Sequence, residues 1–162
     1  MKTLNHIRHI REVLNDLIIL IWLKNKKNMI TKSYLKDLIY KVNGSAIEVH
    51  KALGPGLLES VYHKCMKHEL GLRNINYQSE LVIPVHYKGI DIEAELRCDL
   101  YVEDVLPVEL KAIEGILPIH EAQLMTYMKL LEAPEGLLLN FNVTNIFKEG
   151  QKTYVQTSLF IN

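Results

Sequence analysis

Cysteine is scarce in this chain: Cys65 and Cys98 are the two among 162 residues, and neither stands in a CxxC or paired Cys/His spacing. That scarcity argues against a disulfide framework and a structural zinc site, and a reducing, cytoplasmic setting is expected. No excess of either charge is present, since 19 basic and 19 acidic residues cancel. There is then no global positive field, and any grip on nucleic acid has to be local. Long apolar runs are missing too. The longest, Leu17 to Leu23, falls far short of the roughly 20 residues that a membrane-spanning helix needs. Asp16 before this run and Lys24, Lys26 and Lys27 after it do not make a signal peptide. GxxxxGK[ST], the dinucleotide-binding glycine fingerprint and GxSxG are all absent, which leaves nucleotide hydrolysis, dinucleotide chemistry and serine-hydrolase chemistry without support.

What is present is a 48% hydrophobic composition, enough to build the core of one α/β domain. In residues 1–28, Ile7, Ile10, Leu14, Leu17, Ile18 and Ile21 recur at helical spacing, so an amphipathic helix is expected, with Lys24 to Asn28 as a linker. The domain proper is expected over residues 29–162, and Met29 offers an alternative start of translation. A second helix is predicted from the capping residue Thr31 to the breaker Gly54-Pro55-Gly56, with Leu35, Leu38, Ile39, Val42, Ala46, Val49 and Leu53 inward. A third is predicted from Leu57 to Leu70, burying Leu58, Val61, Cys65 and Leu70, with Gly71 as its C-terminal breaker.

From Tyr77 the period becomes two, and Asp91 to Leu100 alternates as one half-buried strand. A turn near Glu103-Asp104 leads to a strand over Leu106 to Ile113. Pro118 opens a helix to Leu131, with Leu124, Met125, Met128 and Leu131 inward. Gly136 to Asn142 reads as a central strand. The last strand, Thr153 to Phe160, follows a turn over Lys148 to Lys152. This order implies an α/β fold with a mixed central sheet flanked by helices.

Glu109 and Lys111 are two apart on a strand, so their side chains share a face. Asp99 joins them only if opposing position numbers sum to 208, which requires a three-residue loop, Glu103 to Val105, or an equivalent bulge. Two carboxylates and an ammonium would then form the oxygen-rich setting that magnesium prefers. The competing reading is a weak surface pair on a solvated strand, but Val108, Leu110, Ala112, Leu96, Cys98 and Leu100 surround these charges with core-like neighbours. His120, Gln123 and Tyr127 make a polar stripe at i, i+3 and i+7 opposite that helix's apolar face. Glu59, with Tyr62 three residues on, sits where a helix N-terminus favours an acid. Pro107 removes a ladder donor, placing its part of the strand at an edge, a bulge or an unpaired position.

Gly56-Leu57-Leu58-Glu59-Ser60-Val61-Tyr62 resembles the name-giving pattern of the GxxExxY proteins of the PD-(D/E)XK nuclease superfamily. The likeness continues through Glu48 to Pro55, Tyr87-Lys88-Gly89, Arg97 to Leu100, Val108 to Ala112, His120 to Leu124 with Tyr127, and Gly136 to Val143. Cys98 stands where the superfamily's name has proline. The resemblance implies a restriction-endonuclease-like core in which Asp99, Glu109 and the Leu110 carbonyl ligate magnesium, or manganese. Glu59 would add a ligand directly or through water, and Lys111 would position or activate the attacking water. Gln123 and Tyr127 match a QxxxY motif that would hold the site and substrate, with Tyr62, His50 and His120 as supporting candidates. Each of the two histidines also reads as a structural hydrogen-bonding residue. The implied partner is nucleic acid, DNA in preference to RNA, with no membrane. A nucleic-acid or protein-binding module that keeps the fold with weak or no turnover is the alternative, and a membrane-surface protein using the N-terminal helix is the third reading.

Deleting residues 1–28 is expected to leave the melting temperature of the remainder nearly unchanged in a calorimetric scan. Loss of cooperative unfolding would instead place Leu17, Ile18 and Ile21 in the core.

Overall fold

Thr31 stands just before a helix and caps its start: its Oγ1 accepts the Tyr34 N–H at 3.1 Å, so one of the donors that a helix start leaves open is satisfied. That helix, α1, runs Lys32–Leu53. The computed structural model describes residues 13–14, 17–18, 30–92 and 96–156. The chain divides into two compact units, Met1–Asp37 and Leu38–Asn162. In the first, Val13, Leu14, Leu17 and Ile18 are helical and exposed, and the rest of the helix expected over residues 1–28 lies outside the described residues. In the second, Leu38, Val42, Ala46 and Val49 form the buried stripe of α1, while Leu53 at its end is exposed.

After α1 come α2 (Glu59–Leu72), β1 (Tyr77–Val82), β2 (Val85–Tyr87), β3 (Ile90–Ile92), β4 (Arg97–Val102) and β5 (Leu106–Lys111). They are followed by α3 (Pro118–Leu130), β6 (Glu135–Asn140), the single-turn α4 (Ile146–Glu149) and β7 (Gln151–Val155). Five strands form a mixed sheet in the order β1-β4-β5-β6-β7. β5 and β6 are parallel and the other neighbours antiparallel. A parallel pair needs a crossover, and α3 supplies it. This helix packs on β5 and β6, and α2 packs on β5 and β1. Among the described residues no helix is long and apolar enough to cross a membrane.

Several expectations change. The alternating stretch from Asp91 to Leu100 is two strands in two sheets, because among the described residues β2 and β3 pair only with each other. Glu93 to Glu95 lie outside the described residues. On α2 the buried residues are Tyr62, Met66 and Leu70. Leu58 is exposed, Val61 and Cys65 are half-buried, and Gly71 lies inside the helix. The reason is the aromatic ring: Tyr62 stacks on Phe141 with centroids 4.5 Å apart, burying far more area than Val61 could. On α3 the inward residues are Leu124, Tyr127 and Met128, and Met125 is exposed. Tyr127 packs with Ile83 and Cys98, so the supposed polar stripe turns partly toward the sheet.

Pro107 lies in a central strand rather than at an edge. It faces Tyr101 of β4, and the parallel ladder to β6 begins one residue later, at Val108. Its missing N–H therefore falls just before that ladder starts. The expected turn over Lys148 to Lys152 contains the end of α4 and the start of β7, and the last strand starts at Gln151, before the expected Thr153. The part of that expectation beyond Gln156 lies outside the described residues.

Gly150 lets β6 and β7 meet. Its carbonyl accepts the Asn140 N–H at 2.8 Å, and a Cβ at this position would sit 2.4 Å from the Asn140 carbonyl oxygen. Backbone cannot yield as a flexible side chain does. Gly150→Ala should thus lower stability by about 2 kcal/mol, as overpacking does, read as a lowered midpoint in urea unfolding.

Candidate active site

The β4–β5 connection is the three-residue loop Glu103 to Val105, with Glu103 and Asp104 at φ of 51° and 52°. Both take left-handed backbone, which lets a short loop close. Glu103 is held there by the Asn76 N–H, which donates to its Oε1 at 2.8 Å. The resulting register pairs Leu100 with Val108 and Val102 with Leu106. Continued by one residue, it brings Asp99 opposite Glu109.

Past Leu100 and Val108 the ladder stops. Pro107 has no N–H, so its pairing with Tyr101 is the non-hydrogen-bonded kind, and the hydrogen-bonded positions are 100/108 and then 98/110. The Leu110 N–H does not keep to that pattern. It donates to Asp99 Oδ2 at 2.8 Å. N–H and C=O of one strand residue point the same way, so the Leu110 carbonyl is directed toward β4, the side from which the Asp99 carboxylate reaches its N–H.

Glu109 is 2% exposed. Lys111 Nζ donates to its Oε1 at 2.7 Å, while its Oε2 is buried with no hydrogen-bond partner. Burial, then the charge of Asp99, pushes the Glu109 carboxyl up to about 7, against the opposing pull of Lys111. Burial likewise raises Asp99, partly offset by the Leu110 N–H and by Lys111. Burial pulls Lys111 down, but its hydrogen bond to Glu109 and the charges of Glu109, Glu59 and Asp99 outweigh this and leave it raised.

Glu59 comes from the first turn of α2. Gly54 and Gly56 take φ of 67° and 96°, values that favour glycine, to turn the chain out of α1. The Tyr62 hydroxyl clamps that turn, donating to the Gly54 carbonyl at 2.6 Å and accepting the Leu57 N–H at 3.2 Å. Glu59 contributes to the charge felt by both Glu109 and Lys111. On α3, Gln123 Nε2 donates to the Tyr127 hydroxyl at 2.8 Å, and Tyr127 in turn feels the charges of Glu109 and Asp99.

Three carboxylates thus act around one ammonium, and one carboxylate oxygen is buried without a donor. This donor set fits a hard cation. Among the described residues no three His, Cys, Asp or Glu side chains form a ready cage. Asp99 spends Oδ2 on Leu110 and Glu109 spends Oε1 on Lys111, so ligation would run through the remaining oxygens and through water, as magnesium tolerates.

The other candidates lie outside this cluster. His50 Nε2 bonds the Val143 carbonyl at 2.8 Å. His120 Nδ1 accepts the Leu117 N–H at 3.1 Å and caps α3. Tyr62 serves the turn described above. His63, which the sequence reading passed over, hydrogen-bonds the Asp99 carbonyl through Nε2 at 3.1 Å. Its four-residue spacing from Glu59, which puts both on one face of α2, was the available signal. Burial, and next the charge of Glu109, drives the Cys98 thiol up to about 12, so it is an inert core group rather than a nucleophile.

A mixed sheet with flanking helices and an acidic pair beside a lysine on adjacent strands defines a nuclease-like α/β protein. The profile of the PD-(D/E)XK nuclease superfamily matches residues 36–153, well over half of the sequence, and the chain belongs to that superfamily, with its restriction-endonuclease-like fold. No curated protein and no solved structure matches the chain significantly.

The raised Glu109 carboxyl has a signed consequence. In the metal-free protein it keeps its proton to about pH 7, whereas in the unfolded chain it loses it near the ordinary glutamate value of 4.5. Between these values the folded state binds more protons, so stability falls as pH rises and stays reduced above 7. Glu109→Gln should therefore be more stable than wild type at pH 8 in chelator, by on the order of 2 kcal/mol. The gap should close toward pH 4.5 in urea titrations at the two pH values.

Proposed function

We propose that this chain is a magnesium-dependent nuclease of the GxxExxY kind, hydrolysing phosphodiester bonds in nucleic acid, DNA in preference to RNA. The observation carrying this reading is Glu109: a carboxylate 2% exposed, with Oε2 lacking a donor, beside Asp99 and Lys111. Burying a carboxylate oxygen without a partner costs stability, and such a cost is repaid when a cation supplies the missing charge. The GxxExxY pattern has physical content here, because Gly56 makes the turn, Glu59 starts α2 beside the acidic pair, and Tyr62 locks the turn.

A bound divalent cation supplies Lewis-acid stabilisation of the phosphoryl oxygens and a more acidic water. Asp99, Glu109 and the Leu110 carbonyl would hold it, with Glu59 as a further or water-bridged ligand. Lys111, its side chain 13% exposed, keeps a positive charge where negative charge develops on phosphate, and its ammonium can orient the attacking water. Gln123 and Tyr127, bonded to each other, would brace the side of the site toward α3. A second reading, a protein-binding module on the same fold, is favoured by the zero net charge, which gives no broad attraction to phosphates.

Single-turnover cleavage of single- and double-stranded DNA and RNA, paired with calorimetric titration of magnesium or manganese, tests the proposal. Glu109→Ala should weaken metal binding and abolish cleavage. Lys111→Ala should lower turnover by about 100-fold or more while metal affinity stays similar or rises. An active Glu109→Ala variant would leave the binding module as the better account.

A further inference from the structure

β1 and β4 pair with a constant sum of position numbers, Tyr77 with Val102 through Val82 with Arg97, yet the register omits the pair Glu80 and Asp99. Glu80 has φ 53°, a left-handed backbone that costs a side-chain-bearing residue about 1–2 kcal/mol in the middle of a strand. The ladder changes phase at this point. An antiparallel ladder bonds every second pair. The Glu103 N–H donates to the Asn76 carbonyl at one end and the Ile83 N–H to the Leu96 carbonyl at the other. Residues 76 and 83 are an odd number apart, so the regular pattern cannot run through.

Counted from the Asn76 end, the Glu80 N–H would bond the Asp99 carbonyl. That carbonyl instead meets His63 Nε2 of α2 at 3.1 Å, and the same nitrogen lies 3.2 Å from Ser79 Oγ. A carbonyl oxygen only accepts, so Nε2 has to carry a proton. Asp99 has now lost regular pairing on both sides. Its side chain catches β5 through the Leu110 N–H, and its backbone is caught by α2 through His63. Glu59 stands one turn before His63 on that same helix.

We propose that His63 is a positioning residue for the nuclease site: its Nε2–H replaces the ladder bond that the Glu80 conformation removes, and it ties the Asp99 backbone to the helix that carries Glu59. The distance between these two carboxylates, and with it the affinity for a cation, is then set by one imidazole. Fine adjustment of a site by a neighbour that touches no substrate is the usual way ligands are oriented. The inference rests on the metal-dependent cleavage proposed above.

The test combines variants with readouts that do not need activity. In wild type, nitrogen-15 NMR of the His63 ring should show Nε2 protonated. In His63→Leu, amide exchange at Leu110 should speed up by about fivefold, the equivalent of one lost hydrogen bond, with the β6–β7 amides unchanged. Magnesium affinity should weaken by a similar factor of about five, with kcat lowered at subsaturating metal and KM for nucleic acid unchanged. His63→Gln, which keeps a donor of comparable reach, should restore wild-type values. His63→Asn, too short to reach, should behave as His63→Leu does and takes its place if the leucine variant does not fold. An unprotonated Nε2, or wild-type Leu110 exchange and metal dependence in the leucine or asparagine variant, overturns the inference. A wild type without metal-dependent cleavage overturns the proposed function instead, and ring protonation with Leu110 exchange still decides whether His63 positions Asp99.

Discussion

The site depends on one residue being released from both neighbouring strands. Asp99 is the third residue of β4, where the ladder to β5 ends after Leu100 and Val108 and the ladder to β1 skips Glu80. In a regular sheet its main chain would be consumed by pairing and its side chain would stand off the sheet surface. Here the strands part enough for the carboxylate to swing toward β5 and take the Leu110 N–H. The β4–β5 pairing ends one residue short of Glu109, so the backbone defect and the acidic cluster lie side by side.

The acidic cluster is electrostatically incomplete. Lys111 supplies one positive charge to Glu109, and Asp99 and Glu59 add negative charge around the pair. The surrounding residues are not free to relieve this by turning into water, because β5 is buried from Leu106 to Leu110. Packing that makes the fold stable thereby holds the carboxylates where they repel. Such strain is characteristic of sites that are completed by a ligand.

The helices act as arms that reach the sheet from separate parts of the chain. α2 is aimed by the Gly54 to Gly56 turn, the Tyr62 hydroxyl and the stack of Tyr62 on Phe141, which immediately follows β6. α3 is started by Pro118 and by the His120 side chain bonding the Leu117 N–H. It is seated by Leu124, Tyr127 and Met128. The supporting candidates His50, His120 and Tyr62 each bond the backbone of these arms and loops. In their case a polar side chain near a conspicuous motif serves the backbone.

Much of the fold was legible because it follows from periodicity and punctuation. The capped α1, the Pro118 helix, the apolar strand from Gly136 and the shared face of Glu109 and Lys111 are local consequences of residue order, since spacing alone sets which side chains lie together. The helix faces were less legible. Met125 and Tyr127, or Val61 and Tyr62, differ by a rotation that apolar counting cannot resolve and that a buried ring decides. Least legible was the break at Glu80 and Asp99, with His63 repairing it. A left-handed glutamate carries no sequence signal of its own, and the pairing it interrupts joins residues far apart in the chain. By itself the sequence determined an α/β domain with a carboxylate and a lysine side by side on a strand. Only the tertiary structure decided that Asp99 and Glu59 join them, because the register of three strands and the aim of one helix depend on contacts that exist only once the chain has folded.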